Sequence, residues 1–128
     1  MGLDSCKVEA IVAVSDMGRA KDFYEGKLGL TGGTEGGDGG ITYQCAGNTS
    51  IHVYPSPDNA GKSGATLAAF TTDDVEGTVD ELAGNGVQFE QYDTDPIKTN
   101  EKGIAEADGV KIAWFKDPDG NILGVGSA

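Results

Sequence analysis

Residues Val14–Leu30 read VSDMGRAKDFYEGKLGL, and the same local grammar returns at Thr71–Gly86 as TTDDVEGTVDELAGNG. In the first stretch, the apolar, β-branched run Lys7–Val14 predicts a strand that ends at Ser15-Asp16. Those two residues supply a helix N-cap, because their side-chain oxygens accept the unpaired N–H groups of a first helical turn. Met17, Ala20, Tyr24 and Leu28 then recur at helical spacing, and Gly29 closes the helix. In the second stretch, Thr66–Thr72 predicts a strand and Asp73-Asp74 the cap. Val75, Val79, Leu82 and Ala83 form the apolar stripe, and Gly86 ends it. Asp74 follows Asp16 by 58 residues and Gly86 follows Gly29 by 57, so the second helix is one residue shorter. The chain repeats itself.

Outward from these anchors, each half continues with short strand-like runs. The first half has Thr42–Cys45 and Ser50–Tyr54 after a glycine-rich turn region, Thr31–Gly40. The second has Val87–Glu90, Val110–Lys116 and Ile122–Val125, with a long polar excursion over Gln91–Gly109 that reads as a lid, a binding loop or a surface excursion. The expected architecture is α+β: paired βαβββ modules, about 7–55 and 65–127, form a curved, mostly antiparallel sheet with helices on its outer face. One domain covers residues 1–128. Strand alternation turns Val12, Val14, Ile51 and Val53 toward the helices. It leaves Glu9, Ile11, Ala13, Ser50, His52 and Tyr54 on the concave side.

Composition narrows the function. The 128 residues carry 21 acidic and nine basic side chains, a net charge of −12, and Arg19 is the single arginine. Such a chain repels nucleic acid. The charge either attracts cationic molecules or serves solubility. Neither a run of about 18 apolar residues nor a signal-peptide pattern is present, so no membrane association is expected and the expected location is cytoplasmic. Cys6 and Cys45 match no zinc or redox spacing. Ala60-Gly61-Lys62-Ser63 ends like a phosphate loop, but Ser56 stands where its first glycine is required. Asp117, Asp119 and Asn121 resemble the start of a calcium loop, yet Ile122 occupies the obligatory glycine position, and they read as a hairpin turn.

Two motifs carry a family resemblance. Val14-Ser15-Asp16-Met17, Arg19-Ala20, Phe23-Tyr24 and Leu28-Gly29-Leu30 resemble the first module of the vicinal oxygen chelate superfamily. Trp114-Phe115-Lys116-Asp117-Pro118-Asp119-Gly120-Asn121 resembles its last hairpin. That superfamily contains glyoxalase I, extradiol dioxygenases, fosfomycin-resistance enzymes and bleomycin-binding proteins, and the similarity spans nearly the whole chain. The resemblance implies four metal-ligand positions on the curved sheet: Glu9, His52, Leu67 and Gly124. Leu67 and Gly124 bring no donor atoms, while a catalytic zinc takes about three protein ligands. No metal and no other cofactor is therefore expected.

Two residues keep reactive side chains. Glu9 is either an acid/base group or a solvated carboxylate at a strand edge. His52, the lone histidine, is either its partner in acid/base chemistry or a hydrogen-bonded structural residue. Trp114, the lone tryptophan, occupies a position that the resemblance aims into the cavity. Together with Ile11, Tyr54, Leu67, Ala69, Ile112 and Gly124 it makes a mostly apolar lining, the usual composition of a small-molecule pocket. The leading expectation is a bleomycin-resistance-like protein that binds a cationic or aromatic small molecule, as a homodimer. The alternative is a lyase or isomerase of glyoxalase type using Glu9 and His52 as acid and base or as a partial metal site.

Overall fold

The computed structural model describes residues 2–94 and 97–127. Asp95 and Pro96, within the expected excursion, lie outside the described residues. Two four-stranded sheets are present, each with one parallel and two antiparallel pairings. In the first module, β1 (Ala10–Val14), β2 (Thr34–Glu35), β3 (Ile41–Gln44) and β4 (Ser50–Pro55) take the order β1-β4-β3-β2. In the second, β5 (Thr66–Thr71), β6 (Ile104–Ala107), β7 (Val110–Lys116) and β8 (Ile122–Gly126) take the matching order β5-β8-β7-β6. Among the described residues no strand ladder joins the sheets, so they do not close into a barrel.

The helices start where the caps predict. Asp16 accepts the Arg19 N–H at 3.1 Å and opens α1 (Met17–Lys21), and Asp74 accepts the Gly77 N–H at 2.9 Å and opens α2 (Val75–Gly84). Caps of this kind are worth about 1 kcal/mol each. Past Lys21 the first helix widens into a π-helical turn, Asp22–Lys27, which buries Phe23 and Tyr24. Gly29 and Gly86 both hold φ in the left-handed region, at 76° and 98°, which only glycine adopts freely after a helix.

Alternation decides which sheet face meets the helices. Val12, Val14, Ile51 and Val53 of the first sheet and Phe115, Leu123 and Val125 of the second are buried in one core with Phe23, Tyr24 and Leu82. Both helices therefore lie on the same side of the structure, shared by the two sheets. The opposite faces stay open: Ile11 is 60% exposed and Leu67 38%.

Four expected boundaries need correction, and one is that β2, Thr34–Glu35, forms inside the stretch expected as a glycine-rich turn, paired to β3. The first strand begins at Ala10 rather than Lys7, because its ladder to β4 starts at Ala10↔Ile51 and Val8 projects into solvent. Val87–Glu90 is not a strand; only Phe89 bridges to Phe115. The second-module strand lies instead inside the expected excursion, as β6, held to β7 from Ile104↔Ala113 to Ala107↔Val110. The outer edge of β7 is thus covered by two short pieces.

Polar side chains tie the modules together. Asp117 sits 5% exposed and accepts four hydrogen bonds, from Tyr24 Oη at 2.7 Å, Asn121 Nδ2 at 2.8 Å, and the Asp119 and Asn121 N–H groups at 2.9 Å each. Asn121 donates in turn to the Ala13 carbonyl at 2.8 Å. Ser15 and Arg19 reach Asp119. The Asp117–Asn121 turn is the expected hairpin turn, wedged against the β1–α1 junction.

Candidate functional site

The helix-free face of the first sheet carries polar chemistry. Ladder registers place Thr42, His52 and Ile11 side by side across β3, β4 and β1. His52 Nδ1 lies 2.8 Å from Thr42 Oγ1, and Nε2 lies 2.8 Å from Asp38 Oδ2. The hydrogen bond from His52 holds the Asp38 carboxyl below the usual carboxylate range. Asp38 is therefore ionised at neutral pH and only accepts, so Nε2 carries the proton. In the neutral ring Nδ1 is then the acceptor, and Thr42 donates to it. Tyr54, two residues along β4, stacks near the imidazole, with centroids 6.1 Å apart and planes at 14°.

Glu9 has a different partner. Ser50 Oγ donates to Glu9 Oε2 at 2.7 Å. Among the described residues, no hydrogen bond or ion pair joins Glu9 to His52. They occupy neighbouring rows of one face.

The equivalent face of the second sheet is apolar. Trp114, Gly124 and Ala69 sit in register across β7, β8 and β5. Tyr92, from the excursion after α2, meets the indole edge to face, with centroids 5.5 Å apart and planes at 74°. A Cβ added at Gly124 would stand 3.5 Å from the Ala113 carbonyl and 3.7 Å from Ala69 Cβ and Ile112 Cδ1, which is ordinary contact. Neither packing nor backbone demands glycine there. Gly124 is itself buried, and its strand partner Trp114 stands in register beside it.

The expected lining residues therefore divide. Ile11 and Tyr54 stand with Glu9 and His52 on the first sheet, whereas Ala69, Ile112, Trp114 and Gly124 stand on the second. Leu67 falls at a register shift in β5 between Thr66 and Ala68. A cavity of about 820 Å³ lies elsewhere, at the junction of the modules among Ala10, Leu30, Cys45, Ile51 and Phe70; of the expected set it touches only Ala69. Sequence reasoning missed Asp38, Thr42 and Tyr92. Asp38 and Tyr92 sit in irregular segments that carry no periodicity. Thr42 becomes visible only once the β3–β4 register is known.

A profile for the glyoxalase/bleomycin resistance protein/dioxygenase superfamily matches residues 3–125. The chain belongs to that superfamily. No curated protein matches the sequence. Among solved structures, TnmS3, an antibiotic binding protein from Streptomyces sp. CB03234, is 27% identical, with a TM-score of 0.66 over 96% of this chain and 95% of that one. A glyoxalase/bleomycin resistance protein from the same organism is also 27% identical, with a TM-score of 0.65 over 93% of this chain and 97% of that one. Another glyoxalase/bleomycin resistance protein, from Catenulispora Acidiphila DSM 44928, shares the fold at 24% identity, with a TM-score of 0.67 over 97% of this chain and 99% of that one.

Membership of the glyoxalase/bleomycin resistance superfamily raises the question of a metal, and the donor set answers against a fit. Of the four ligand positions expected from the resemblance only Glu9 and His52 carry donors, and His52 already spends both ring nitrogens on Asp38 and Thr42. Among the described residues no three His, Cys, Asp or Glu side chains converge as a metal site requires. Among the described residues no helix is long and apolar enough to cross a membrane.

Proposed function

We propose that this protein binds a small aromatic or cationic organic molecule on the helix-free faces of its sheets, without a tightly held metal and as a homodimer. The observation that carries the reading is the edge-to-face corner formed by Trp114 and Tyr92, with Gly124 in register beside the indole. An indole face offers a large apolar contact and attracts a cation through its quadrupole, and the net charge of −12 draws the same class of ligand. The 27% identity to an antibiotic binding protein supports the reading. Exposure supports the dimer: Ile11 and Leu67 lie open on the helix-free faces, and a ligand resting there needs a second surface to cover it. Two free cysteines, Cys6 and Cys45, suit a reducing, cytoplasmic setting.

The test is a fluorescence titration with a panel of aromatic antibiotics and cationic dyes. A true ligand alters Trp114 emission, and Trp114→Ala weakens its binding by about 1 kcal/mol or more. Unchanged affinity in that variant would make the tryptophan a packing residue and move the site elsewhere. A second reading, a lyase or isomerase of glyoxalase type, draws its support from the oriented imidazole of His52. In that reading Glu9, bonded to Ser50, acts as a separate acid rather than as the histidine's partner.

A further inference from the structure

The repeat relates the two ends of the inter-module junction, and the two ends are filled differently. At one end the β7–β8 turn plugs the β1–α1 junction through Asp117, Asp119 and Asn121, with Tyr24 and the Ala13 carbonyl as partners. The ladders identify the counterparts at the other end. Pairs Ile11↔His52 and Ala13↔Tyr54 match pairs Ala69↔Gly124 and Thr71↔Gly126, offset by 58 residues on the first strand and by 72 on the last. By those offsets Cys45 stands for Asp117, Gly47 for Asp119, Thr49 for Asn121, Thr71 for Ala13 and Leu82 for Tyr24. Every charged or amide-bearing member of the plug has become small, apolar or hydroxylic.

That end of the junction is open, as the cavity of about 820 Å³ that Cys45, Gly47, Thr49 and Thr71 line. No residue lining it is charged, in a chain of net charge −12. A smaller lobe of about 140 Å³, lined by Leu82 and Leu28, shares Leu30 and Phe70 with it. The smaller, walled by the buried Leu82, Phe115 and Val125, is the inner of the two, and the larger is in the size range of drug-like ligand sites, about 300–1,000 Å³. A charged group placed there would find no opposite charge to pair with. We propose that this cleft is a second small-molecule site, separate from the Trp114 face, for a neutral apolar ligand whose single ring or short alkyl tail enters the inner lobe.

Cys45 is a built-in reporter, and exposed Cys6 is its internal control. The probe is Nile red, a neutral dye whose emission shifts to the blue in apolar surroundings. The dye binds at one site per chain with a blue shift. At about ten times its dissociation constant it slows alkylation of Cys45 by N-ethylmaleimide about tenfold, by mass action, and leaves Cys6 unaffected. Ala46→Trp, at the exposed mouth, abolishes both effects; Thr49→Trp serves as the second blocking variant. Trp114→Ala changes neither effect. Dye binding that Trp114→Ala removes, or that leaves Cys45 alkylation unchanged, overturns the proposal. So does protection of Cys45 without dye that disappears on dilution, which would show a second copy of the chain seated in the cleft.

Discussion

Among the described residues Asp117 is the most heavily bonded side chain, and three of its four hydrogen bonds satisfy buried donors. Replacing it with alanine leaves the Tyr24 hydroxyl and the Asn121 amide without their acceptor inside the core. An unsatisfied buried group costs about 1–3 kcal/mol. Asp117→Ala should therefore lower unfolding free energy by about 3 kcal/mol or more, read from urea denaturation. A loss within about 0.5 kcal/mol, the range of ordinary surface substitutions, would show that the network relaxes without it. At this scale the sequence was only half legible. It marked Asp117 and Asn121 as turn residues, but nothing in local spacing links them to Tyr24, 93 positions away. Long-range partnership of side chains is a property of the packed fold. His52 makes the same point: its strand and its face follow from alternation, whereas its partner Asp38 comes from a glycine-rich segment whose course alternation does not govern.

Elements were more legible than contacts. The 58-residue offset read from caps reappears in the ladders, where Ile11↔His52 corresponds to Ala69↔Gly124. Thr42↔His52 likewise corresponds to Trp114↔Gly124. The strand misplaced in the second module had a signal of its own. Asp108 and Gly109 have φ of 53° and 79°, the geometry of a two-residue hairpin turn, and Asp-Gly is the dipeptide that such a turn favours. Ala and Glu in β6 have weak strand preference, so pairing to β7 rather than propensity makes the strand. The register also supports an element-scale prediction. Leu67→His with Gly124→Glu puts an imidazole and a carboxylate on the second sheet to match those on the first, and the space around Gly124 admits the new Cβ. If the helix-free faces meet, the double variant gains zinc or nickel binding in a calorimetric titration, and metal raises its melting temperature. Each single variant and the natural sequence bind far more weakly. A folded double variant that takes up no metal would show that the four positions never converge.

For the whole molecule, charge and burial set two expectations. Sedimentation should give a particle of about twice the 13.1 kDa of one chain. With −12 on each partner, added salt should strengthen the association and low salt should split it. A particle that stays monomeric across that range would mean that the open faces do not meet. The second expectation concerns alkaline pH. Burial, aided by the Asp117 carboxylate, pushes the Tyr24 phenol far above its ordinary range, and burial with the Glu25 hydrogen bond does the same for Tyr43. Unfolded phenols lose their protons near pH ~10, while these two keep theirs in the native state. The native state then binds more protons, so stability is intact below pH ~10 and falls as pH rises beyond it. Urea midpoints measured across that range should decline in the natural chain and decline less in Tyr24→Phe. Equal slopes in the two proteins would place the alkaline sensitivity elsewhere.

The turn wedged between modules has one more consequence. A single covalent crossing, residues 56–65, connects the halves, and Lys62, Ser63 and Gly64 within it are exposed. The shared core and the Asp117 network hold the halves together independently of that crossing. Cleavage at Ser63 would therefore leave a two-piece molecule that stays assembled, and the two pieces expressed apart would find each other. The protein is in that sense a ready-made fragment-complementation pair, whose reassembly Tyr24 and Asp117 would report by sealing the junction from water.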